Sequence, residues 1–184
     1  MRVSILREVP PRPPTRYNKS MRKPIIGVMG PGSSATNQDV QNALELGKLI
    51  AQQDWVLLTG GRNSGVMDAV NKGAKSADGL TVGIMFDQDN SKISKFVDIP
   101  VMTSMGSARN NINALTSDIV IACGTIAPGT LSEIALALKG SKQVVLLNDD
   151  PDAKHFLGKV GQDNVSFAAS PEDAIEITKN LLLP

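Results

Sequence analysis

One cysteine, Cys123, and one histidine, His155, are all that the chain supplies of either residue. Those counts exclude a disulfide framework, a Cys/His structural zinc site and a Cys–His catalytic pair, and they point to a reducing compartment. Aromatic residues make up only 3% of the sequence, so base-stacking platforms for single strands or RNA are not available and the core has to be aliphatic. An excess of one charge is missing as well. Nineteen Lys and Arg face eighteen Asp and Glu for a net charge of +1, which leaves no global field to attract nucleic acid; an anion must be held by local groups. No apolar stretch approaches the roughly 20 residues that span a bilayer, and the N-terminus lacks the apolar core of a secretory signal. The expectation is a cytoplasmic protein without membrane or nucleic-acid partners.

What is present is an ordinary globular balance, 41% hydrophobic and 20% charged over 184 residues, enough for one α/β domain. Residues 1–23 form a basic, proline-rich arm around Val9-Pro-Pro-Arg-Pro-Pro14, of extended or polyproline preference. It reads either as a solvated tail or as an arm that embraces a neighbouring subunit. Residues 24–184 form the ligand-binding domain. There, short apolar runs alternate with segments of helical period, the pattern of βαβ units around a buried parallel sheet with helices on both faces. Strands are expected at Ile25–Met29, Trp55–Thr59, Leu80–Phe86, Val97–Met102, Asp118–Cys123 and Gln143–Leu147, the last closing the main sheet. A weaker strand is expected near Val165–Ala168. Helices are expected at Thr36–Gln53, with Val40, Ala43, Leu44, Gly47, Ile50 and Ala51 as the buried stripe, and at Val66–Ala77, Ala108–Thr116 and Thr130–Lys139. A last helix runs from Pro171 to Leu183 with Ser170 as its N-cap.

Three glycine-bearing loops follow directly on strand ends: Gly30-Pro31-Gly32-Ser33-Ser34, Gly60-Gly61-Arg62-Asn63-Ser64-Gly65, and Gly124 through Gly129 to Thr130. A fourth, Thr103 to Arg109, includes Ser107. In a parallel sheet these loops share one edge, where open α/β sheets bind their ligands. Each feeds a helix whose first N–H groups are unpaired and whose N-terminus is partly positive, so the shared chemistry is anion binding. Ser33, Ser34, Ser107 and Thr130 add hydroxyl donors. Arg109 offers a planar fork suited to phosphate, or it pairs with a carboxylate. Glu133 takes part in the site or complements its helix dipole.

Gly30-x-Gly32-x-x-Ala35 fits the loose dinucleotide pattern, but no acidic residue ends the second strand to hold a ribose. Thr59, Gly60, Gly61 and Arg62 stand there instead, which disfavours NAD and suits a phosphorylated ligand. No Gly-Lys-Ser/Thr sequence exists, so a P-loop is excluded. Cys123 and His155 have no partner in sequence and read as structural. The methionines Met67, Met85, Met102 and Met105 read as packing for the core and loop bases.

Gly60-Gly-Arg62, Gly65-Val-Met67, Arg109 and Gly129-Thr-Leu-Ser-Glu133, in that order, resemble the lonely-guy superfamily, once mislabelled as lysine decarboxylases. Within it, Arg22-Lys-Pro-Ile-Ile-Gly-Val-Met-Gly-Pro-Gly32, Leu57 to Arg62, Gly106 to Leu115 and Ala135 to Lys139 resemble the molybdenum cofactor carrier proteins of green algae and their cyanobacterial relatives. The resemblance implies a Rossmann-like fold and a homo-oligomer, dimer or tetramer. It also implies a bound molybdopterin-type molybdenum cofactor, held for transfer to apo-molybdoenzymes rather than turned over. Its phosphate would sit on the helix N-termini after Gly32 and Gly129, with Ser33, Ser34 and Thr130 donating and Arg62 and Arg109 supplying charge. Cytokinin-releasing members carry Pro-Gly-Gly-x-Gly-Thr-x-x-Glu, and here Thr125-Ile-Ala-Pro-Gly-Thr-Leu-Ser-Glu133 lacks the consecutive glycines. The alternatives are a nucleoside 5′-monophosphate phosphoribohydrolase using Arg109 and Glu133, and an NADP or nucleotide sensor.

Overall fold

The apolar runs are strands; those in the middle of the sheet are buried on both faces, and those at its edges are partly exposed. The computed structural model describes residues 22–183, so the proposed N-terminal arm lies outside the described residues apart from Arg22 and Lys23. The strands are β1 (Ile25–Met29), β2 (Val56–Thr59), β3 (Thr81–Met85), β4 (Ile99–Met102), β5 (Ile119–Cys123), β6 (Gln143–Leu147) and β7 (Val165–Ala168). They form one parallel sheet in the order β4-β3-β2-β1-β5-β6-β7. The helices are α1 (Asn37–Gln52), α2 (Gly65–Lys75), α3 (Asn110–Thr116), α4 (Pro128–Lys139), α5 (Pro151–Gly161) and α6 (Pro171–Leu182). None of them is long and apolar enough to cross a membrane.

Strand alternation sorts the core into two layers. Ile26 and Val28 of β1, with Ile119, Ile121 and Cys123 of β5, meet α1, α2 and α6; Met29, Val120 and Ala122 meet α3, α4 and α5. A side chain such as Ile134, fully buried against the second face, contributes about 1.5 to 3 kcal/mol of transfer free energy. On the first face α1 and α2 approach until backbones touch. A Cβ built on Gly47 would lie 2.0 Å from the Val70 carbonyl oxygen, and one on Gly73 would lie 1.9 Å from that of Leu44. Only glycine permits that crossing.

Several sequence expectations shift. Gln143–Leu147 does not close the sheet, because β7 pairs outside it in parallel, Val144 to Val165 through Leu147 to Ala168. The strands expected from Trp55 and Val97 begin at Val56 and Ile99. Asp98 has another task, its carboxylate accepting from the Thr81 N–H at 2.9 Å and tying the start of β3 to β4. In α1 the buried set is Asp39, Ala43, Leu46, Gly47 and Ile50, while Val40 and Leu44 are exposed. α5 is an additional helix, with Leu157 and Gly161 as its buried residues. α6 begins as expected, with the Ser170 hydroxyl accepting from Asp173 N–H and Pro171 in its first turn.

The order of strands places the site. From β1 the chain winds outward through β2 and β3 to β4, then crosses back to β5 beside β1 and winds the other way. The switch therefore lies between β1 and β5. A crevice opens at the carboxyl ends of these strands, where the two connections depart in opposite directions.

Candidate functional site

The first turn of α4 has free donors because its cap cannot satisfy them. The N-cap position is Ala127, whose side chain accepts nothing, and Pro128 and Gly129 follow. The opposite choice is made at α1. There Thr36 accepts from Asp39 N–H at 3.1 Å and the Asp39 carboxylate accepts from Thr36 N–H at 3.0 Å, a reciprocal capping box. Thr125 donates to the same carboxylate at 3.2 Å. One helix start is already occupied by the protein's own carboxylate and the other is open.

The open α4 start forms one wall of a cleft of about 250 Å³ at the switch point. Of the residues singled out in the sequence, Gly30, Pro31, Gly32, Ser33, Ser34, Gly60, Arg62, Arg109, Gly129, Thr130 and Glu133 line it. Three others stand elsewhere. Gly61, at φ +72°, packs on Gly83 and donates its N–H to the Thr59 hydroxyl at 3.0 Å, which makes it a turn residue. Gly124, at φ +84°, faces Asp39 in a neighbouring cleft, and Ser107 is exposed on a short 3-10 turn.

Two guanidinium groups enter the cleft from different elements. Arg109 ends the 3-10 turn Gly106–Arg109 that leads into α3, and its side chain is only 11% exposed. Gly60 makes room for it, since a Cβ there would come within 2.5 Å of Nη1. Arg62 stacks on Phe86, with the guanidinium carbon 4.9 Å from the ring centroid, a cation–π contact. Its loop is tied down by the segment after β3. Asn63 N–H donates to the Lys92 carbonyl at 2.9 Å, and Ser94 N–H donates to that of Gly61 at 2.9 Å.

Glu133, in the second turn of α4, is buried beside Arg109. Its Oε1 accepts from Asn113 Nδ2 at 2.7 Å and lies 3.5 Å from Arg109 Nη1. Burial pushes its carboxyl above the ordinary glutamate value, against the opposing pull of the Asn113 hydrogen bond and the Arg109 charge. Burial likewise depresses Arg109 from its ordinary value, opposed by Glu133 and reinforced by Arg62, yet the guanidinium stays protonated. Among the described residues, two cations against one ionised carboxylate leave the lining with a charge of +1.

Several polar atoms converge here without partners. Arg62 Nε, Arg109 Nη1 and Thr130 Oγ1 are buried with no hydrogen-bond partner among the described residues, and Thr130 is 2% exposed. Each buried, unpaired donor costs about 1 to 3 kcal/mol. Donors gathered around a net positive cleft at a helix start are suited to one kind of group, an anionic oxygen cluster such as phosphate.

Sequence reasoning missed Asn113, which is fully buried and holds Glu133, and also Asn110, which lines the cleft and donates to Ser132 at 2.7 Å. The available signal was a polar residue one helical turn after Arg109, set among Ile112, Ala114 and Leu115. Cys123 is where a structural cysteine was expected, buried with its thiol pushed up to about 12 by desolvation and by Asp39.

The chain is similar to known proteins along most of its length. The molybdenum cofactor binding protein from the phototrophic bacterium Rippkaea orientalis superposes with a TM-score of 0.87 at 55% identity, over 89% of this chain and 100% of that one. The Moco carrier protein from Chlamydomonas reinhardtii gives a TM-score of 0.83 at 50% identity, over 88% and 98%. A protein of Archaeoglobus fulgidus, of no described function, is 43% identical over 122 residues, 66% of this chain and 78% of its own. The family model for SLOG cluster4 matches residues 23–175, spanning every strand of the sheet and all of the cleft. The chain belongs to the SLOG cluster4 family.

Proposed function

We propose that this protein binds the molybdenum cofactor and carries it, protected, to apo-molybdoenzymes. The observation that carries the reading is the likeness at 47 to 55% identity, across nearly the whole chain, to proteins described as binding or carrying that cofactor. The cleft fits such a cargo. Its phosphate end is matched by the unpaired donors of Arg62, Arg109 and Thr130 and by the uncapped start of α4, with the Gly30–Ser34 loop lining the same cleft. The remaining bulk of the ligand lies along the sheet edge, outside the cation pocket. The protein works as a homodimer or homotetramer in the cytoplasm, and exposed apolar side chains such as Leu115 and Leu131 on α3 and α4 are consistent with a subunit contact.

The test is anaerobic incubation with the cofactor, gel filtration, and assay of the protein fraction for reconstitution of an apo-molybdoenzyme. Retained and transferable cofactor is the expected result. A folded protein that retains none overturns the reading.

A second reading, hydrolysis of nucleoside 5′-monophosphates, is favoured by one observation, the presence of Arg109 and Glu133 in the same cleft. Hydrolysis needs an available carboxylate. Here Glu133 is buried, hydrogen-bonded to Asn113 and beside Arg109, which favours the carrier. Free base released from AMP, and lost in Glu133→Gln, would reverse that preference.

A further inference from the structure

A carboxyl group in the wall of an anion pocket needs explaining, because it opposes the charge that the pocket is built to receive. Glu133 is not a peripheral neighbour of the cations. Among the described residues, Arg62, Arg109 and Glu133 are the only ionisable ones lining the cleft, and Glu133 lies 3.5 Å from Arg109. While ionised, it neutralises about half of the positive charge. When protonated, it leaves both guanidinium groups to the ligand, so a head group carrying two negative charges meets two positive ones.

The surroundings permit that change. Arg109 Nη1 has no hydrogen-bond partner among the described residues, so its contact with Glu133 is a charge interaction without a hydrogen bond to break. Oε1 is held by Asn113 Nδ2 at 2.7 Å, a contact that either protonation state of the carboxyl can accept while the proton sits on the other oxygen. Arg109 is the only charged side chain acting directly on Glu133 among the described residues. Asn113 of α3 is neutral, Arg62 stands beyond Arg109, and Lys139, on α4 itself, is exposed at the far end of the helix.

We propose that Glu133 makes this cleft a proton-coupled anion site, in which a dianionic head group binds together with a proton taken up by the Glu133 carboxyl. The consequence is a carrier that holds a doubly charged phosphate more tightly at lower pH and loosens as pH rises. The proposal rests on the reading of the cleft as the anion site of the carrier. It adds that the charge of the head group, and not its shape alone, sets retention.

The linkage has a definite sign. A dianion raises the cost of a neighbouring carboxylate, so the Glu133 midpoint is higher in the complex than in the free protein. Affinity is then constant below the free midpoint, falls by up to about tenfold per pH unit between the two midpoints, and levels off above the second.

Sulfate is the probe, because it keeps two negative charges from mildly acid to mildly alkaline pH, and any pH dependence belongs to the protein. Isothermal titration calorimetry of the full chain, in buffers of different ionisation enthalpy, reads the protons taken up. The expected result is a fractional uptake of up to one proton, with sulfate affinity falling as pH rises. Glu133→Gln should bind sulfate with no proton uptake and with an affinity independent of pH. Asn113→Ala, which removes a donor to the ionised form, should move the midpoint upward.

Sulfate binding to the unaltered protein without proton uptake overturns the proposal, even if Glu133→Gln fails to fold. So does uptake that persists unchanged in a folded Glu133→Gln, and so does an absence of sulfate binding. Proton-coupled sulfate binding in a protein that retains no cofactor would sink the carrier reading and leave this one standing. Cofactor retention with uncoupled sulfate binding would do the reverse.

Discussion

The starts of α1 and α4 are the same device used in opposite ways. Both follow a glycine-bearing loop at the carboxyl edge of adjacent strands, β1 and β5, and both begin with a partial positive charge and N–H groups that the helix itself cannot pair. At α1 the chain supplies its own anion, Asp39, which closes a capping box and also accepts from Thr125. At α4 Ala127 supplies nothing, and the first turn opens on a cleft with Arg62, Arg109 and Thr130. One helix start stabilises the fold, while the other is reserved for a ligand. A glycine loop before a helix is therefore an opportunity for anion binding, and the capping residue decides whether it is taken.

The sharpest way to break this comparison is to remove the charge that only the α4 cleft has. Arg109→Ala should weaken cofactor retention by roughly 10- to 100-fold, the scale of one or two charge-assisted hydrogen bonds, as read by anaerobic equilibrium binding. Retention within twofold of the parent would remove Arg109 from the site. Giving α4 the cap that α1 has is nearly as strong a test. Ala127→Asp should stabilise the helix by about 0.5 to 1 kcal/mol in denaturant unfolding while competing with the ligand and lowering retention about tenfold. A stabilised protein with unchanged binding would show that the open start is incidental.

The converse experiment acts on the closed end. Asp39→Ala should cost about 1 to 2 kcal/mol of unfolding free energy and leave retention within about twofold, since the carboxylate serves the capping box and not the cleft. The smallest effect is expected at Thr130. Thr130→Val keeps the shape and removes a buried hydroxyl with no partner, so stability should hold or rise by a few tenths of a kcal/mol while retention drops a few-fold. A loss of stability would mean that the hydroxyl has a structural partner.

The central strands were easy to read because β1, β5 and β6 are apolar on both faces, and runs like Ile119–Cys123 admit no other placement in a parallel sheet. The edges were harder. β7 has a burial pattern that opens to solvent in its middle, and so looked too weak to close the sheet. α5 carries its charge and aromatic surface outward, with Phe156 exposed and only Leu157 and Gly161 buried, which leaves a faint helical period. Val40 and Leu44 fell into the expected stripe of α1 and are exposed, because the close crossing at Gly47 and Gly73 orients that helix toward α2.

The site divides along the same line. Its glycine loops, its two arginines and Glu133 are local features: each follows a strand end, and periodicity alone brings strand ends to one edge. That much the sequence by itself determined, because a glycine turn and a strand's apolar faces are properties of a few neighbouring residues. Tertiary structure decided what no stretch of chain contains. It placed Asn113 against Glu133 from 20 residues away, sent Gly124 and Ser107 out of the cleft, and put Asp39 beside Thr125 across 86 residues. The physical reason is that burial, charge pairing and capping across elements depend on which surfaces meet, and that is fixed only when the sheet assembles.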